Sequence, residues 1–100
     1  MWQPISLTEL EELVAKELQC CTQNQKDAFD RFRVPFYQVP IHRLGNLESV
    51  WVVAKLPSGL LYYEDIEEGF ERGVLGDDGA LQDHGCNQYG LSHALAQAGI

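Results

Sequence analysis

The chain opens on a helical period. In "ISLTELEELVAKELQCC", Leu7, Leu10, Val14, Leu18 and Cys21 recur three or four residues apart and form one apolar stripe. Ser6 stands where an N-cap belongs and Glu9 three residues later, the reciprocal pair of a capping box. Ile5 and Leu10 flank them as a hydrophobic staple, and Glu9, Glu11 and Glu12 crowd the first turn, where the helix dipole favours carboxylates. Thr22 and Gln25 repeat the box and predict a second, shorter helix with Phe29 and Phe32 on a shared face. Pro35 ends it and pushes Val34 toward extended geometry. The two helices are expected to form a hairpin joined around residues 21–24.

From Phe36 the period changes to two. "FYQVPIHRL" places Tyr37, Val39 and Ile41 on one side, and Pro40 marks an edge strand or a bulge. Gly45-Asn46 suits a two-residue hairpin. In "ESVWVVAKL", Val50, Val52, Ala54 and Leu56 are assigned to one face, with Trp51 and Val53 on the other. Apolar residues on both faces predict a central strand. "PSG" turns the chain and "LLYYE" makes a third strand, completing an antiparallel meander. Gly69, Gly73, Gly76 and Gly79 break up the next segment. Residues 65–68 are expected as one helical turn or a bulged corner, "FERGVL" as a short fourth strand, and "GDDG" as a tight turn before "ALQDHG". "NQYGLSHALAQAGI" predicts a closing helix with Asn87 as N-cap, Leu91, Ala94, Leu95 and Ala98 as its apolar face, and Gly99 as the C′ glycine followed by Ile100. The expected architecture is one α+β domain spanning residues 1–100. It has an N-terminal helical hairpin, an antiparallel sheet of three to five strands and a C-terminal helix.

Composition fits a globular domain: 45% of residues are hydrophobic and 22% charged. No apolar run approaches the roughly 18 residues of a membrane helix, and "MWQPISLTELEELV" lacks the basic and apolar regions of a signal peptide. The cytoplasm is therefore the expected compartment. Cys20, Cys21 and Cys86 are odd in number, and two are adjacent, so they are read as reduced thiols.

Charge changes the picture. The net charge is −8. Residues 1–63 carry seven acids and six bases, whereas residues 64–100 carry eight acids and one base, a net of −7. Such a field disfavours nucleic acid and anionic membrane and attracts cationic surfaces. Its densest stretch is "YYEDIEEGFERG". Tyr62, Tyr63, Glu64, Asp65, Glu67, Glu68 and Glu71 are the candidate partner-binding residues. The carboxylates could instead ligate a hard cation, but the spacing is not that of an EF-hand, and "DDG" is more simply a turn. A glycosidase pair would need a substrate cleft. His84 and Cys86 in "DHGC" offer half of a zinc site, or a Cys–His nucleophilic pair lacking an orienting acid. The contrary reading is a loop histidine beside a buried thiol. Trp51, Tyr62, Tyr63, Phe70 and Tyr89 are more often core than ligand surface in a small sheet. No cofactor and no metal are expected.

"VWVVAKLPSGLLYYEDIEEGFE" followed by "CNQYGLSHAL" resembles a pattern in small bacterial proteins of unassigned function and the general style of immunity proteins of bacterial toxin systems. The resemblance covers residues 50–71 and 86–95. It implies a small acidic α+β domain that neutralises a basic toxin by binding it, and it supplies no catalytic residue. On that reading the acidic segment is a docking surface. The alternatives are an adaptor or regulatory subunit with another partner, a homodimer through a sheet edge or helix face, and a small enzyme using Cys86 or His84.

Overall fold

A computed structural model describes residues 4–43, 45–64, 66, 68–82 and 89–100. Two helices come first, α1 (Leu7–Leu18) and α2 (Gln23–Phe32). Five strands come next: β1 (Arg33–Arg43), β2 (Asn46–Leu56), β3 (Gly59–Glu64), β4 (Gly69–Gly73) and β5 (Leu81–Gln82). Helix α3 (Leu91–Gln97) closes the chain. The fold is α+β. The strands form one sheet in the order β4-β3-β2-β1-β5. The expected meander holds for β1 to β4, but β5 runs parallel to β1, pairing Ile41 with Leu81 and His42 with Gln82. The sheet is therefore mixed. The long connection from β4 returns across the sheet, which a hairpin turn cannot do.

Both capping boxes form as the sequence expects. The Ser6 hydroxyl accepts from the Glu9 N–H while Glu9 accepts from the Ser6 N–H, and Thr22 and Gln25 exchange the same pair of bonds. Helix α3 begins later than expected. Its N-cap is Gly90, not Asn87, which lies outside the described residues, and no side chain of its own caps it. Its end follows the sequence: Gly99 has φ +83°, the Gly99 N–H bonds to the Ala96 carbonyl, and the Ile100 N–H bonds to that of Leu95. This is a Schellman ending.

The helices cover one face of the sheet, with α2 on β2, α3 on β4 and α1 on α3. Leu10, Val14, Phe29, Val53, Leu61, Tyr63, Phe70, Leu91 and Leu95 are buried there. The other face has its own core of Val39, Ile41, Val50, Val52, Tyr62 and Leu81. A bulge moves two residues between these cores. Val52 pairs with Tyr62 and Ala54 with Leu61, so Val53 is the extra residue. Past it the alternation inverts. Ala54 and Leu56, expected beside Val50 and Val52, face the helices instead.

The second face buries itself by curling. β4 and β5 are the outermost strands, yet a Cβ built on Gly73 would lie 3.1 Å from Leu81 Cδ2 and 3.3 Å from Tyr62 Cε1. Gly73 thus lets the two rims meet over the concave side. Gly59 has φ +144°, and a side chain there would press to 2.8 Å of the Gly73 carbonyl oxygen. The β1–β2 hairpin leaves two residues between paired Arg43 and Asn46, one position earlier than expected. Gly45 takes φ +81°, and Leu44 lies outside the described residues.

Candidate functional site

The acidic segment divides between interior and surface. Strand alternation sends Tyr62 into the concave core and Tyr63 into the helix-side core, where its ring meets Phe70 edge-on at 5.0 Å between centroids. Glu64, 1% exposed, follows Tyr62 onto the concave face. There the Arg43 guanidinium donates to both Glu64 oxygens and, at 3.2 Å, to Glu48. Arg43, Glu48 and Glu64 have the same strand parity as Ile41, Val50 and Tyr62, so the ion cluster closes one end of the concave core. Tyr62, Tyr63 and Glu64, expected as partner-binding residues, are thus structural: burial and ion pairing remove their side chains from a docking surface. Asp65 and Glu67 lie outside the described residues. Glu71 sits half-buried opposite Tyr62. Glu68 is exposed with φ +55°, and Ile66 beside it is 42% exposed.

A second acidic group stands on the expected "GDDG" turn. The Gly79 N–H bonds to the Gly76 carbonyl, and the Ala80 N–H donates to Asp78 Oδ1. Asp78 Oδ2 lies 2.6 Å from His42 Nε2. The His42 bond first, and the Ala80 N–H second, hold the Asp78 carboxyl below the ordinary aspartate range.

Glu68 has a neighbour that sequence reasoning missed. It lines a cleft of about 300 Å³ with Leu13, Glu17, Tyr63, Phe70 and Tyr89. Glu17 Oε1 accepts from the Leu91 N–H at 2.9 Å, which supplies the cap that Gly90 lacks. A Cβ at Gly90 would sit 2.9 Å from that same oxygen, so a larger residue there would have to shift the Glu17 carboxylate. Tyr89 accepts from the Phe70 N–H through its carbonyl, and its ring stacks on His93 at 3.9 Å. Tyr89 was visible in the sequence only as one aromatic among several. Glu17 carried no local signal, being 51 positions from Glu68.

The thiols split in the same way. Cys20 is exposed and Cys21 buried, and both are free. Burial first, and Glu17 second, push the Cys21 thiol up, away from the reactive thiolate. His84 and Cys86 lie outside the described residues. Among the described residues no three His, Cys, Asp or Glu side chains gather as metal ligands, and no helix is long and apolar enough to cross a membrane. Compared with known proteins, the chain matches no family model, no curated protein and no solved structure.

Proposed function

We propose that this protein is a binding module that docks through its acidic surface on a basic protein, in the manner of an immunity protein covering the cationic cleft of a toxin. The observation that carries this reading is the uneven charge, a net of −7 within residues 64–100, shown outward at Glu68, Asp77 and Asp78. Glu64 does not contribute to it, being buried and paired with Arg43. A nuclease-like partner must carry cations to hold phosphates, and opposed fields of this kind speed encounter more than they tighten the final complex.

Retention of partners from native lysate on the immobilised protein tests the reading. Wild type is compared with the Glu67→Lys, Glu68→Lys double variant, at low and high salt. The expected result is a basic protein held by wild type, released by salt, lost in the reversal, and toxic when produced alone. Equal retention by both proteins at every salt concentration would sink it.

A further inference from the structure

The end of the β3–β4 hairpin away from the acidic corner carries the opposite chemistry. Glu64 pairs with Gly69 at the acidic end, and Leu60 with Gly73 at the other. There a groove of about 460 Å³ runs along the β2–β3 turn, with Pro57, Leu60, Val74 and Leu75 as apolar walls and Lys55 and Ser58 as polar ones. Val74 is 71% exposed and Leu75 39%. Adjacent aliphatic side chains held in water, rimmed by polar groups, mark a contact surface. The turn brings Val74 close because Gly59 has no side chain: a Cβ on it would lie 3.3 Å from Val74 Cγ2.

Charge decides what fits this groove. Lys55 and Arg72 are the only Lys or Arg in residues 44–100, and both belong to this end of the sheet. Lys55 lines the groove with its Nζ 5.7 Å from the Tyr37 ring centroid, and Arg72 donates to Ser58 Oγ at 2.9 Å. Among the described residues neither cation enters an ion pair, and no carboxylate lines the groove. Cations without counter-charge beside apolar walls favour a carboxylate carried among aliphatic groups. Nucleic acid would be repelled by the net charge of −8 and would gain nothing from the apolar walls. A free small molecule would stay largely in water in so open a groove, whereas ligand pockets enclose most of their ligand. A protein segment brings its own cover.

We propose that this groove is a second docking surface, and that it takes an acidic, apolar segment of a protein, a Glu or Asp flanked by large aliphatic side chains. The carboxylate meets Lys55 and Arg72, and the aliphatic groups cover Val74 and Leu75. This surface stands or falls apart from the acidic one, which uses other residues and the opposite charge.

The test uses the peptide acetyl-Ser-Leu-Glu-Leu-Ser-amide and its neutral counterpart with Gln for Glu, titrated against the full chain by NMR at the Gly59 amide and the Val74 methyl groups. Saturable shifts are expected, with the Glu peptide the tighter of the two. Lys55→Gln and Arg72→Gln are each expected to weaken the Glu peptide about threefold and to leave the Gln peptide unchanged. Val74→Ser, at an exposed position, is expected to weaken both peptides about tenfold at an unchanged melting temperature. Equal affinity for the two peptides, no saturation, or full affinity after Val74→Ser would overturn the proposal. Shifts at the same groups that grow with protein concentration and no peptide would assign the groove to a second copy of the chain, and would overturn it too.

Discussion

The two faces of the sheet are buried by different means. The helix-side face is covered by other elements. Gln25 pins them together: its Oε1 accepts from the Thr22 N–H and the Ser92 hydroxyl, and its Nε2 donates to the Ser92 carbonyl at 3.2 Å. The concave face covers itself, through the Val53 bulge, the missing side chain at Gly73 and the Arg43–Glu64 pair at one end. Neutral hydrogen bonds close the first core and an ion pair closes the second. The two closures therefore differ in what happens when one partner is removed: a neutral group loses a bond, but a buried charge loses its counter-charge.

The largest expected effect comes from that difference. Arg43→Met leaves Glu64 charged inside the concave core and is expected to cost about 3–5 kcal/mol by chemical denaturation. The double variant Arg43→Met, Glu64→Met removes both charges and is expected to recover most of the loss. A double variant no better than the single one would show that the pair is not what closes this end. The matching break on the helix side is smaller. Gln25→Leu removes the bond from the Thr22 N–H, which is the side-chain half of the α2 capping box, and the bonds to Ser92, at an expected cost of about 1–3 kcal/mol. A loss as large as that of Arg43→Met would erase the contrast between the faces.

The smallest effect concerns the exposed 76–79 turn. The Asp78 carboxyl is lowered in the folded protein, so the fold favours its ionised form. That contribution is complete above the ordinary aspartate value of about 3.9, and is lost as pH falls through the lowered value. His42→Ala is expected to move the NMR titration of Asp78 back up toward the ordinary value. An unmoved titration would assign the shift to the Ala80 N–H alone.

What was legible in the sequence was local. Ser6 with Glu9 and Thr22 with Gln25 lie one helical turn apart, so their capping boxes are written in adjacent residues. The alternation of Tyr37, Val39 and Ile41 was equally plain, as was the glycine ending of α3. What escaped depends on residues far away in the chain. Strand β5 is two residues long and exists only because β1 offers it an edge. Ala54 and Leu56 changed faces because one bulge inverted a regular alternation. The start of α3 is set by Glu17, 74 positions earlier. Glu64 looks like its acidic neighbours in sequence, but it is buried and pairs with Arg43, 21 positions away. The candidate site was half visible for the same reason. Charge density marked the segment, but not which carboxylates face water.

The rims of the sheet bear on how any partner can approach. An open strand edge is a row of unpaired N–H and C=O groups that another chain can extend. Along β1, Pro35 and Pro40 bring no N–H, and β5 occupies Ile41 and His42. Along β4, the Phe70 N–H is already taken by the Tyr89 carbonyl. Each of these contacts removes part of an open edge that another chain could extend. At those positions a visiting strand finds no free N–H to extend.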